Sequence, residues 1–588
     1  MDLTDFARDT LNDRYLQRHD TCPEDAFRRA CTAFADDEEH ANRMFKYTTN
    51  FWMTLATPTL SNAPYRKTYG GFSEEYFDGE SIGLPISCFL NYVPDSRQGL
   101  ASHYEENIWL ASNGGGIGGY WGHVRSDGAS TSSGSVSTGS IPFMHVVDSQ
   151  MLAFNQGKTR RGSYAAYMDI SHPEIIEFIE MRKPTGGDVN RKCLNLHHGI
   201  NITDDFMDLV EEALNGSNPT WNLVDPNSGH VVSTVPVKLL WEKIINTRAT
   251  TGEPYLHFID TSNKRLPEGQ RNKGLRILQS NLCSEITLPT GTDRTAVCCL
   301  ASLNLENWDE WKSDVNFIPD VVRYLDNVLE YFILNAENMP KAVYSASQER
   351  SIGIGTLGFH ALLQRRGVPF ESALATSLNL QIFKHIKEEA VRGSYTLAIE
   401  RGEAPDVVGS GLRNAHLLSI APNASSSIIA NTSPSVEPWK ANAFTHKTLS
   451  GSYLVKNKYL ERLLEDKGMN TKEVWKGIIS NGGSVQHLKE LDDYERDTFK
   501  TADEIDQRWI IDHASDRQAF ICQSQSINIF IPYGMDIKDF SHLHVRAWKK
   551  GLKTLYYCRS APARRAENLN QKVERMYLTE NECLSCEA

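Results

Sequence analysis

Three side chains two residues apart, Asn281, Cys283 and Glu285 in the segment QSNLCSEITLP, bring together an amide, a thiol and a carboxylate. If the segment is extended, the period of two puts all three on one face, with about 7 Å between alternate residues. A carboxylate can take up or deliver a proton and an amide can orient a hydroxyl, so amide, carboxylate and sulfur would share one ligand. The competing reading is a half-buried strand whose cysteine is a small hydrophobe, the usual role of a single cysteine.

Other residues add to that chemistry. Cys298 and Cys299 in TAVCCLASLNL, with Cys88 in LPISCFLNYVP, supply a dithiol beside a third thiol. Cys583 and Cys586 form a Cys-x-x-Cys on a terminal segment too polar to pack, and a flexible dithiol can exchange with a buried disulfide and then with an outside reductant. The adjacent phenols Tyr556 and Tyr557 are either core aromatics or a path for an electron and a proton in steps. Ser425, Ser426 and Ser427, which follow a proline and precede an apolar, helix-like run, offer hydroxyls and free amides to a phosphate or simply cap a helix. Structural zinc uses two closely spaced ligand pairs, and only the tail has such spacing, so no metal site is expected.

The elements that must position these residues belong to an ordinary globular chain. It has 588 residues, 40% hydrophobic and 23% charged, and a formal net charge of −13, which argues against general nucleic-acid binding. The acidic, amphipathic start lacks a signal-peptide pattern, and no run of eighteen apolar residues occurs, so a cytoplasmic protein without a membrane span is expected. Eleven cysteines in that setting point to redox chemistry rather than a disulfide framework. Residues 1–55 read as helical; LATPTLSNAP and LPISCFLNYVP read as buried strands, and SDGASTSSGSVSTGS, residues 126–140, as an exposed loop. Beyond it HPEIIEFIEMRK reads as a helix, EPYLHFID as a strand, and the stretch from ALATSLNL to AIERG as a long helix closed by Gly402. Such alternation favours an α/β architecture.

Taken together, the segments ATPTLSNA, SCFL, NGGGIG, QGKTRRGSYAAY, NLCSEI, CCLASLNL, RSIGIGTLGFHALL, APNASSSIIANTSPSVEP, AWKKGLKTLYY and CLSC resemble, in order, the large catalytic subunit of class I ribonucleotide reductase. The resemblance implies a ten-stranded α/β barrel with a central finger loop, preceded by a small helical region, and it makes Cys283 a loop tip rather than a strand position. The implied division is a helical region at 1–55, the barrel at 56–565 and a flexible redox tail at 566–588.

The resemblance implies further that Cys283 becomes a thiyl radical, that Glu285 is the general base, that Asn281 holds the substrate, and that Cys88 and Cys298 supply two electrons. Cys298 is chosen over Cys299 because the family's cysteine stands six residues before the position of Asn304. Cys583 and Cys586 would regenerate the pair through thioredoxin or glutaredoxin. Tyr556 and Tyr557 would carry the radical from a separate, metal-containing small subunit. Thr57, Ser87, Gly116, Pro422, Asn423, Ala424, Ser425 and Ser426 would bind a ribonucleoside diphosphate.

A dNTP or ATP effector would bind at Asp95, Ser96 and Arg125, with Arg160 and Arg161 relaying its identity to base choice, in what is expected to be a homodimer. Many relatives begin with a regulatory domain that binds ATP or dATP. ATPTLSNA begins at residue 56, so the expectation is specificity control without a dATP off-switch. Three alternatives stand beside this reading: an adenosylcobalamin-dependent relative, which would not need the tyrosine pair; a glycyl-radical enzyme, whose terminal motif is missing; and a non-catalytic nucleotide-binding regulator.

Overall fold

A string such as AVCCLASLN, with no alternation of polar residues, can be buried on both faces only inside a covered sheet. In a computed structural model, which describes residues 1, 3–79, 83–156, 160–448, 451–532 and 535–560, that string is a strand buried at every position. The N-terminal region is three helices, α1 (Asp5–Arg14), α2 (Pro23–Ala33) and α3 (Glu38–Thr49). Their starts are written locally: Thr4 and Asp37 accept first-turn amides, and Pro23 opens α2.

The sheet joins nine strands. In chain order they are β1 (Met53–Leu55), β2 (Cys88–Tyr92), β3 (Gly116–Tyr120), β4 (Ser163–Asp169), β5 (His197–Ile202), β6 (Tyr255–Phe258), β7 (Ala296–Asn304), β8 (Ile352–Leu357) and β9 (Thr554–Leu555). Their spatial order is β1-β7-β2-β3-β4-β5-β6-β9, with β8 on the other edge of β7. Strands β2 to β6 are parallel, β7 runs antiparallel to β2 and parallel to β8, and β9 is antiparallel to β6.

The circuit closes through two further extended segments. Residues 417–420 run parallel beside β8, residues 523–527 run parallel beside them, and Tyr556 N donates to Ile527 O at 2.9 Å. The eight strands β2 to β9 plus these two segments make a ring of ten, an α/β barrel built from two parallel halves that meet antiparallel.

Residues 279–290 pass through this ring without joining the sheet, as a finger loop. Gln279 Nε2 donates to Asn91 O at 2.8 Å and to Gly118 O at 3.1 Å, tying the loop to β2 and β3. Gly118 is required for that approach: a Cβ there would lie 2.0 Å from Ser280 O and 2.8 Å from Asn281 Cα.

Two local expectations are corrected. LATPTLSNAP is a strand only at its first residue, Leu55; after it the chain turns into α4 (Thr57–Ser61), because Pro58 suits a helix start and cannot donate to a ladder. The segment 126–140 is not a plain loop but contains an antiparallel hairpin, Asp127–Ser130 with Val136–Thr138, largely exposed. Backbone pairing there needs no apolar residues. The helix expected at HPEIIEFIEMRK, the strand at EPYLHFID and the long helix closed by Gly402 stand at Ile175–Glu180, Tyr255–Phe258 and Ala373–Arg401.

Candidate active site

The centre of the site is the tip of the finger loop. Cys283 occupies a turn, and Ser284 adopts φ 67°, a left-handed conformation costing a non-glycine residue about 1–2 kcal/mol. Contacts from the barrel wall hold it there. Thr554 Oγ1 donates to Ser284 O at 2.7 Å, Ser526 Oγ to Cys283 O at 2.5 Å, and Tyr167 Oη to Asn281 O at 2.8 Å. Ser524 N and Ser419 Oγ both donate to Glu285 O, at 2.9 Å and 2.8 Å.

Asn281, Cys283 and Glu285 are all buried, and the turn divides their company. Asn281 and Glu285 converge on Cys88. The Asn281 amide donates to Cys88 Sγ at 3.6 Å, and Cys88 Sγ stands 3.9 Å from Glu285 Oε1. Cys283 instead packs with Leu282, Tyr167, Tyr255 and Tyr556. Burial pushes the Glu285 carboxyl up to about 7, against hydrogen bonds from Asn281, Ser526 and Cys88. A carboxyl titrating there is suited to proton transfer at neutral pH.

Cys298 and Cys88 are directly opposed across the antiparallel β7–β2 pair. Facing residues in such a pair have Cα atoms about 4.5–5.5 Å apart, inside the range a disulfide spans. Both pack in the barrel interior with Ile286 and Leu288 of the finger. Cys299 points the other way, its Sγ donating to Leu325 O at 3.4 Å outside the barrel. Burial, then the neighbouring Cys299 and Cys88 thiols, push Cys298 well above the ordinary thiol range. It is therefore a protonated thiol at rest.

Tyr556 and Tyr557 follow β9 on the Cys283 side, with ring centroids 4.3 Å apart. Tyr255 of β6 joins them, 4.8 Å from Tyr556 and 5.1 Å from Tyr557. Tyr557 Oη lies 3.2 Å from His197 Nδ1, and the same nitrogen is 2.7 Å from Glu253 Oε1. Although burial pushes Glu253 up, Arg182 and His197 hold it well below the usual carboxylate range. The buried Arg248 guanidinium donates to Tyr556 O at 3.0 Å.

Of the residues read as substrate-binding, Ser87 and Gly116 lie beside the finger and its dithiol. Ser87 Oγ lies 3.6 Å from Cys88 Sγ, and a Cβ at Gly116 would meet the Leu282 side chain at 3.1 Å. Thr57, at the start of α4, is 3.1 Å from the Tyr15 hydroxyl. Pro422 precedes Asn423, which is the left-handed N-cap of a one-and-a-half-turn helix, Ala424–Ile429, so Ser425, Ser426 and Ser427 lie inside the helix rather than ahead of it. Asn423 accepts from Ser302 Oγ at 2.9 Å, and Thr54, Ala56 and Ser426 gather beside the same turn.

Asp95, Ser96 and Arg125 are also brought together: Arg125 Nε is 2.9 Å from Asp95, and Ser96 caps α5 (Arg97–Ser112). The Arg160–Arg161 strand pairs with Asn155–Gln156, and Gly162, next in the chain, lies against Ala111 at the other end of α5. Sixteen helical residues, about 24 Å, separate the two groups within one chain. Cys583 and Cys586 lie outside the described residues. Among the described residues no group of three His, Cys, Asp or Glu side chains is placed to hold a metal ion, and no helix is long and apolar enough to cross a membrane.

Sequence reasoning missed Tyr255, Tyr167, Ser419, Ser524, Ser526 and Thr554 as supports of the site. A signal existed in QSQS, residues 523–526, four polar residues inside the apolar frame ICQSQSINIFI and all buried.

Comparison with known proteins agrees with this architecture. Residues 86–407 and 404–558 match the family model of the ribonucleotide reductase barrel domain, and residues 1–67 match that of its all-alpha domain. The chain belongs to the ribonucleotide reductase family. Within it, the two matched domains make it a large, or alpha, subunit.

A Frog virus 3 (isolate Goorha) protein provisionally named a ribonucleoside-diphosphate reductase large subunit is 48% identical over 93% of each chain. The ribonucleoside-diphosphate reductase large subunit of Invertebrate iridescent virus 3 is 42% identical over 98% of this chain and 97% of its own. Among solved structures, the class Id ribonucleotide reductase alpha subunit of Actinobacillus ureae superposes with a TM-score of 0.81 at 32% identity, covering 95% of this chain and 98% of that one.

Proposed function

We propose that this large subunit reduces ribonucleoside diphosphates to 2'-deoxyribonucleoside diphosphates by thiyl-radical chemistry at Cys283. The observation that carries the reading is one buried constellation: Asn281 and Glu285 on the finger, the opposed Cys88 and Cys298 beneath it, and the tyrosine pair behind Cys283.

An oxidising equivalent from a separate, metal-containing small subunit enters through Tyr557 and Tyr556 and leaves Cys283 as a thiyl radical. The radical takes the 3'-hydrogen of the ribose, breaking C–H and forming S–H. Glu285 removes the 3'-hydroxyl proton, Asn281 orients the substrate, and the 2'-hydroxyl takes one proton from the Cys88–Cys298 pair and departs as water. The pair then gives its other hydrogen to C2', gives up two electrons in all and becomes a disulfide, Glu285 returns its proton to the 3'-oxygen, and the 3'-hydrogen returns from Cys283. Cys583 and Cys586 reduce that disulfide and are reduced in turn by thioredoxin or glutaredoxin, in a cytoplasmic setting where such reductants work.

Substrate contacts fall to Thr57, Ser87 and Gly116, and the phosphates to Pro422–Ser426 with their hydroxyls and first-turn amides. A dNTP or ATP effector binds at Asp95, Ser96 and Arg125. A homodimer, in which Arg160 and Arg161 come from the partner subunit's copy of the hairpin, would span the separation along α5.

The test is a deoxynucleotide assay with a ribonucleoside diphosphate, a radical-generating small subunit and a dithiol. The expected result is turnover only when both subunits are present, abolished in Tyr557→Phe, which keeps the ring stacking and removes the phenol. Equal turnover by Tyr557→Phe would overturn the radical route.

A further inference from the structure

Cys522 opens the barrel segment 523–527 and is outside the constellation described above. It and Cys22 are the partly exposed cysteines among the described residues; the others are buried. The Cys522 sulfur accepts from the backbone N–H of Leu417 at 3.1 Å and of Leu418 at 3.2 Å. Two convergent amides favour an anion there, and Leu418 O, 3.5 Å away, accepts from the protonated form.

The imidazole of His416 lies beside the same sulfur. Its Nε2 is held by Gln270 Oε1 at 2.9 Å, and its Nδ1 is buried with no hydrogen-bond partner. Gln270 in turn donates to Glu349 Oε2 at 3.4 Å.

On the other side Lys553, 1% exposed, donates from Nζ to Cys522 O at 2.5 Å. A buried ammonium is costly unless an anion offsets it. Burial pushes Lys553 down to about 7, with Arg265 and Lys387 adding to the fall and the Cys522 thiol opposing it, so Lys553 is charged below neutral pH and the Cys522 sulfur is the anion beside it. Burial pushes the thiol up, yet His416, Lys387 and the Leu418 amide outweigh it and bring it down to about 5.

We propose that Cys522 is a second reactive thiol of this chain, held as a thiolate by His416, Lys553 and the Leu417 and Leu418 amides, and that it forms mixed disulfides with low-molecular-weight disulfides. The thiolate attacks one sulfur of the reagent; the new S–S bond forms as the reagent's own breaks. The leaving sulfur departs with the electron pair and takes a proton from solvent, so Cys522 is oxidised as that sulfur is reduced.

The experiment exposes the full native chain to the neutral bis(2-hydroxyethyl) disulfide at about pH 6 and about pH 8, and follows the Cys522 adduct by peptide mass mapping. The comparator is the same cysteine in the urea-unfolded chain, whose rate should fall about 100-fold between those pH values because an ordinary thiol loses thiolate tenfold per pH unit. In the native chain the expected fall is under about threefold. His416→Asn should steepen the native profile toward the unfolded one. A native rate that falls as steeply as the unfolded one, or the lack of a Cys522 adduct in the native chain, would overturn the proposal.

Discussion

Glu285 illustrates how a residue's environment sets its task. Nothing about a carboxylate two residues from a cysteine fixes its protonation; burial in the barrel, opposed by the Asn281 and Ser526 hydrogen bonds, brings it to about 7. As the base of the proposed reaction it must be ionised, so kcat should fall tenfold per unit as pH drops below about 7. Glu285→Gln should remove that limb and lower kcat by about 10²–10⁴.

The same residue carries a stability cost of opposite sign. Its folded pKa lies above the unfolded value of 4.5, so the native state binds the proton more tightly, and that stabilisation is lost as pH rises through about 7. The difference is worth about 3 kcal/mol. Glu285→Gln should therefore raise Tm relative to the parent at alkaline pH while lowering kcat, which a pair of thermal melts and assays would check.

At the scale of elements, the finger loop depends on what β3 leaves out. Gly118 has no side chain, and the backbone of Ser280 and Asn281 occupies the space a Cβ would need. Gly118→Ala should push the finger off β3, break the Gln279 anchors and lower turnover by at least about 100-fold, since a displacement of about 1 Å in a reacting geometry has that effect. Far-UV circular dichroism should stay close to the parent, because the ring of strands does not depend on that anchor. A variant with parental activity would show that the loop tolerates the shift.

At the scale of the whole molecule, the barrel separates two groups on either side of the finger: tyrosines behind Cys283, the opposed thiols with Asn281 and Glu285 in front. The proposed cycle then needs the tail to connect the buried dithiol to the outside. The double variant Cys583→Ser, Cys586→Ser should form about one deoxynucleotide per pre-reduced chain in a rapid-quench experiment, yet fail to turn over with thioredoxin. Sustained turnover of that variant with thioredoxin would place the reductant's access elsewhere.

Much of this was legible from residues 281–285 and the segments around them. The order of motifs pointed to the barrel and its finger, and the family resemblance chose Cys298, the residue that stands opposite Cys88. Three local misreadings have physical reasons. Pro58 reads as a strand boundary or a helix start, and only the neighbours of β1 decide which. The serine-rich stretch 126–140 has only Ala129 and Val136 as apolar residues and no alternation, so hydropathy cannot see a hairpin held by backbone pairing. Ser425–Ser427 read as a cap because serine favours both places, while the cap itself is Asn423.

The sequence by itself determined which chemistry the chain carries, because residue type and order along the chain are local properties: an amide, a thiol and a carboxylate in alternation, paired tyrosines, and thiols in the family's order. Only the tertiary structure decided which groups meet. Register across β2 and β7 sets Cys298 against Cys88 and turns Cys299 outward, since a shift of one residue in a strand reverses the face. Barrel closure brings residues 419, 526 and 554, distant in sequence, onto the carbonyls of the finger tip, and it is this convergence of long-range contacts that holds Ser284 in its left-handed turn.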